Sequence, residues 1–132
     1  DENISYISAD FLTKLLCSGA FNSIPKLVKQ IHFNPNRPEN NNIKITNKKL
    51  NYASVFSNNR WEFRDKKEII ENLVNRGYGL IDEHFDAIQN ELPAKYKQRY
   101  KDYDRCFNDE NGKEKKKQMK NTELIIINGC PE

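Results

Sequence analysis

Apolar spacing changes twice along this chain, and those changes constrain the fold more than any other feature. Ile24, Leu27, Val28 and Ile31 recur at i, i+3, i+4 and i+7, which is one stripe of a helix. After residue 42 the period falls to two. Ile43 and Ile45 alternate with Lys44 and Thr46, Tyr52, Ser54 and Phe56 with Ala53 and Val55, and Trp61 and Phe63 with Arg60, Glu62 and Arg64. From Asp65 onward the helical period returns. This order predicts an α+β fold: two N-terminal helices, a small three-stranded antiparallel sheet with a hairpin, and a helical C-terminal half.

Local signals place the boundaries. Ser8 is expected to cap a first helix that Gly19 stops, and Ser23 to cap a second with Pro25 in its tolerant first turn. Ser57-Asn58-Asn59 reads as a hairpin turn, because Asn accepts positive φ. Asp65 with Glu68 forms a capping box for a helix carrying Ile69, Ile70, Leu73 and Val74 on one face. Gly77-Tyr78-Gly79 is expected to interrupt that helix, and a segment from Leu80 to Leu92 to turn Ile81, Phe85 and Ile88 inward.

Pro93 then kinks the helix or starts a new one. Tyr96, Tyr100, Tyr103 and Phe107 make an aromatic seam, and Asn108 to Gly112 a turn. Leu124 to Ile127 ends a helix or forms a short strand. Residues 1–92 read as a compact α+β domain, and residues 93–132 as a helical, basic C-terminal extension packed on it or projecting from it. Trp61 sits in a hairpin with Phe56 and Phe63, and as the one Trp of a small sheet it is expected in the core.

A chain of 132 residues can bury a core without disulfides. Its net charge of +3 does not by itself argue for nucleic-acid binding. Cys17, Cys106 and Cys130 are odd in number and far apart, with no Cys-x-x-Cys pair. They point to inert thiols in a reducing, intracellular setting, with no metal and no cofactor implied. No apolar run approaches the ~20 residues a membrane span needs. The first residue is Asp rather than Met, which suggests a fragment or a processed chain.

Two stretches carry candidate chemistry. His32, Asn34 and Asn42 lie in a loop dense in Asn and Pro, where a His-Asn-His endonuclease would use His32 as general base beside a metal. The residues before His32 read as helical, however, where that arrangement wants a strand, and the second histidine, His84, lies far along in a helical segment. A corner stiffened by Pro35 and Pro38, with Asn side chains bonding its backbone, accounts for the loop better. The second stretch runs from 93 to 120, with ten Lys or Arg against five Asp or Glu. Lys95, Arg99, Lys113, Lys115, Lys116 and Lys117 are its candidate nucleic-acid contacts, and the rival reading turns the tyrosines inward and leaves the lysines as a solvated face.

The series His32-Phe33-Asn34-Pro35, Pro38-Glu39-Asn40, Asn42-Ile43, Arg60-Trp61-Glu62 and Asp65-Lys66-Lys67-Glu68-Ile69-Ile70 resembles an uncharacterised C-terminal domain of giant DNA virus (mimivirus-like) proteins. The resemblance covers roughly residues 23 to 90, and the heavy use of Asn, Lys and Ile suits such a genome. Those proteins often carry a coiled coil and an N-terminal zinc finger, the latter lacking from these 132 residues. The resemblance implies a viral protein of the host cytoplasm, viral factory or virion, and supplies no catalytic residues. The expectation is a non-enzymatic interaction or assembly module that self-associates or binds another protein, with nucleic acid as a further partner and no membrane. Direct nucleic-acid binding through 93–120 and a divergent metal nuclease using His32 are the alternatives.

Overall fold

The structure, a computed structural model, describes residues 4–129. Helices α1 (Ala9–Gly19) and α2 (Ser23–His32) come first. Strands β1 (Ile43–Lys44), β2 (Tyr52–Ser57) and β3 (Arg60–Asp65) follow, and then α3 (Lys66–Ile88), α4 (Ala94–Phe107) and α5 (Lys113–Gly129). The sheet is antiparallel in the order β1-β2-β3, so the fold is α+β with a helical C-terminal half.

Several boundaries follow from local chemistry. Ser8 Oγ accepts the Phe11 N–H at 3.0 Å and caps α1, and Asp65 accepts the Glu68 N–H at 2.9 Å and caps α3. Asn58 and Asn59 take φ of 54° and 65°, the paired left-handed conformation of a two-residue hairpin turn. The register Phe56↔Trp61 and Ser54↔Phe63 is set from there.

Three expectations are corrected. The Gly77-Tyr78-Gly79 stretch does not interrupt α3, which is continuous from Lys66 to Ile88 and ends in a 3₁₀ turn at Gln89–Glu91. Gly77 is buried where a Cβ would stand 3.2 Å from Ile24 Cγ2, so this glycine serves helix–helix approach. Ser23 is not a cap. It is the first residue of α2, and its hydroxyl donates to Ala20 O at 2.6 Å. Trp61 is not in the core; it is 40% exposed. The open choice at Leu124 to Ile127 resolves as helix, because these residues continue α5.

The core centres on α2, whose Ile24, Leu27, Val28 and Ile31 are buried among α1, α3 and α5. Ile70, Val74, Ile81 and Phe85 line one face of α3. Tyr100, Tyr103 and Phe107 of α4 and Ile126 of α5 belong to the same buried cluster, so residues from before and after position 93 share one core. Phe85 stacks on Tyr100 at 4.2 Å, and Phe21 meets Tyr103 edge-on at 5.2 Å.

Candidate functional site

The His32 loop is built as a latch. His32 is 2% exposed, and its Nδ1 lies 2.9 Å from Asn40 O and 3.1 Å from Asn42 Oδ1. Both partners accept, so Nδ1 carries the proton and donates. Tyr6 Oη donates to Gln30 O at 2.9 Å, Asn40 Nδ2 donates to Tyr6 Oη at 3.4 Å, and the Arg37 guanidinium sits 4.7 Å from the Tyr6 ring centroid. The loop is thereby tied to the C-terminus of α2. Asn34 Oδ1 accepts the Asn36 N–H at 2.9 Å, the local turn bond expected of Asn. Among the described residues no group of three or more His, Cys, Asp and Glu could hold a metal ion. His32 and Asn42 thus come together while Asn34 bonds within its own turn, and these bonds specify the corner between α2 and β1.

The basic candidates divide into two groups. Lys95 and Arg99 flank Tyr96 near the start of α4, with Lys95 Nζ 4.9 Å and Arg99 Cζ 5.7 Å from its ring centroid. Lys113, Lys115, Lys116 and Lys117 open α5. At 1.5 Å per residue, Lys95 and the far end of α4 stand about 18 Å apart. Lys115 is paired with Glu71 at 3.1 Å, whereas Lys113, Lys116 and Lys117 are exposed. Tyr96 sits among these cations, but the next two tyrosines of the seam do not. Tyr100 and Tyr103 are buried, and burial pushes both hydroxyl pKa values up, with a hydrogen bond to Asp82 adding to the rise at Tyr100. Tyr78 donates to Asp104, stacks on Phe107 at 4.4 Å, and is pushed up to about 12 by burial first and the Asp104 bond second.

Reasoning from the sequence missed the face that the hairpin turns outward. Tyr52, Ser54 and Phe56 of β2 share it with Trp61 and Phe63 of β3, because the register puts Phe56 opposite Trp61 and Ser54 opposite Phe63. Tyr52 is 43%, Phe56 42%, Trp61 40% and Phe63 73% exposed. Phe56 meets Trp61 edge-on at 5.4 Å, and Tyr52 meets Phe63 edge-on at 4.7 Å. Lys44 pairs with Ser54, so it falls on the same face, and its Nζ rests 4.2 Å from the Trp61 ring centroid. The residues that cover the core from this sheet are the smaller Ile43 and Ala53.

The segment that carries this face is basic, and Lys44 is the cation it sets against the rings. Between 44 and 67 there are seven Lys or Arg against Glu62 and Asp65, a net +5 that exceeds the +3 of the whole chain. On the opposite side of β3, Arg60 and Arg64 bracket Glu62 at 3.0 and 3.5 Å, and the Arg60 guanidinium in particular holds the Glu62 carboxyl below the usual carboxylate range. Beside the hairpin lies an open groove of about 620 Å3, lined by Val55, Ile69 and Leu73 together with Asn42, Asn72 and Arg64.

Cys17 and Cys106 are free thiols, and Cys130 lies outside the described residues. Among the described residues no helix is long and apolar enough to cross a membrane. Comparison of the chain with protein-family models, with curated proteins and with solved structures finds no match.

Proposed function

We propose that this chain is a binding module that holds single-stranded nucleic acid on the outer face of its β-hairpin. The observation that carries the reading is the row of exposed rings, Tyr52, Phe56, Trp61 and Phe63, on one sheet face within a segment of net +5. Unpaired bases stack on aromatic rings whatever their identity, and cations beside the rings neutralise the phosphates. A duplex keeps its base faces stacked on one another, so stacking on exposed rings favours the single strand. The basic 93–120 surface is less suited, since its tyrosines at 100 and 103 are committed to the core and Lys115 to Glu71. The giant-virus source stands on the residue pattern of 32–73 alone.

Fluorescence anisotropy of a labelled oligothymidylate tests this. The wild type should bind at low salt, and its affinity should fall as salt rises. Trp61→Ala and Phe56→Ala should each cost about 1–3 kcal/mol, the usual worth of one base–ring stack. A combined Lys113→Ala, Lys116→Ala and Lys117→Ala variant should bind nearly as well as the wild type. Absent binding at low salt, or loss confined to the α5 variant, would overturn the reading. Tighter binding to duplex than to single strand would also count against it.

A further inference from the structure

The hydrogen-bond phase of the hairpin determines what its open edge offers. Ser57 and Arg60 flank a two-residue turn, so they exchange N–H and C=O with each other. The pairs Val55–Glu62 and Ala53–Arg64 repeat that exchange at every second residue. The bond from Lys66 N–H to Asn51 O at 2.9 Å continues the same phase past the strand end, and the bond from Phe56 N–H to Asn42 O at 2.8 Å faces the other way, toward β1. The amides of Trp61, Phe63 and Asp65 therefore point away from β2. β3 is the last strand of the sheet, so among the described residues that row of donors and acceptors has no strand beside it. Such an edge is a template for another strand unless the protein guards it.

We infer that the strand fitting this edge is β3 of a second copy, paired antiparallel about a two-fold axis through Phe63. An axis there aligns Trp61 to Asp65 of one copy with Asp65 to Trp61 of the other, whereas an axis through Trp61 overlaps only Arg60 to Glu62. Phe63 then exchanges both backbone bonds with the second copy's Phe63, which suits its outward amide. Glu62 falls opposite the second copy's Arg64, and Arg64 opposite the second copy's Glu62, in the positions where facing side chains come closest. The charges that would guard the edge against a foreign strand become complementary against their own. Lys66, which lies beyond the strand opposite the second copy's Arg60, has its Nζ turned to Lys48 O at 2.8 Å and Glu123 at 3.1 Å. Phe63, the most exposed large apolar side chain of the hairpin at 73%, would meet its own counterpart across the axis. The contact is isologous, and it leaves the aromatic face open, now doubled in width.

An edge-only contact is small, so association in the micromolar range is expected. Sedimentation equilibrium from about 1 to about 200 µM spans that range. Wild type should climb from the 15.6 kDa monomer toward twice that mass. Phe63→Pro removes the outward N–H and no bond to β2, so it should stay monomeric with an unchanged circular dichroism spectrum. Phe63→Thr keeps the N–H and should still associate. Glu62→Arg alone should stay monomeric, and Glu62→Arg with Arg64→Glu should regain the dimer. A wild type monomeric throughout, or a dimer undiminished in both Phe63→Pro and Glu62→Arg, would overturn the inference. Mass and oligonucleotide binding are separate readouts, so either reading can fail without the other.

Discussion

Gly77 and Gly79 lie two residues apart in α3, yet the same substitution should stabilise at Gly79 and not at Gly77. Both occupy the interior of a long helix, where glycine costs about 0.8–1.0 kcal/mol relative to alanine. A Cβ at Gly79 meets nothing within 4 Å. Gly79→Ala should therefore recover the full helical term, about 1 kcal/mol, and raise Tm by roughly 3–5 °C for a chain of this size. A Cβ at Gly77 would stand 3.2 Å from Ile24 Cγ2 and 3.7 Å from its Cγ1. Ile24 is 0% exposed and packed on every side, so it cannot swing into solvent. Forcing an extra methyl into a filled core costs about 1–3 kcal/mol, which cancels or exceeds the helical gain. Gly77→Ala should leave stability unchanged or lower it by up to about 2 kcal/mol. Urea denaturation of both variants, read by circular dichroism, gives the difference directly. Equal stabilisation by the two substitutions would mean that Ile24 yields freely and that α2 and α3 are not in close contact at Gly77. Destabilisation by Gly79→Ala would refute the unbroken α3.

Two further outcomes concern buried polar groups. The Thr122 hydroxyl is buried and meets no partner among the described residues, so Thr122→Val, which keeps the shape, should stabilise by roughly 1 kcal/mol in the same urea assay; a loss of stability would show that the hydroxyl is bonded. His84 Nε2 lies 2.9 Å from Thr13 Oγ1, and desolvation lowers its pKa below the ordinary 6.5. The folded state thus holds a proton on His84 less readily than the unfolded chain does. The contribution to stability is complete above about pH 6.5 and is lost as pH falls through that value toward the lowered folded pKa. His84→Gln should flatten the pH dependence of Tm between about pH 5 and 7, and an unchanged slope would remove His84 as its source.

The fold was largely legible because its signals are local. Ser8, Asp65 with Glu68, and the Asn58-Asn59 pair each bond to or bend the backbone within a few residues, so their effect depends little on what packs around them. The Asn side chains of the 32–47 loop behave in the same local way, through the Asn34–Asn36 and Asn47–Lys49 turn bonds. The His32 latch was only half legible. Pro35, Pro38 and the Asn side chains marked a corner, but the reach of His32 to Asn40 and Asn42 needs the loop to fold back across α2.

The order of helices and strands and the place of the hairpin turn were legible along the chain, whereas the inward turn of Tyr100 and Tyr103 was one of two readings. Periodicity and turn chemistry act along the chain, and the chain carries them whole. Which face of the sheet is covered depends on packing between elements far apart in the chain. Alternation separates Tyr52, Phe56, Trp61 and Phe63 from Ala53 and Val55, but it does not say which set meets α3. Apolar content alone favours burying the rings. Small side chains let the sheet approach the helix instead, with Ile43 and Ala53 buried beneath it and the rings left facing outward. The same holds for Gly77, a helix breaker by propensity that becomes the contact point between α3 and α2 because only a missing Cβ leaves room for Ile24.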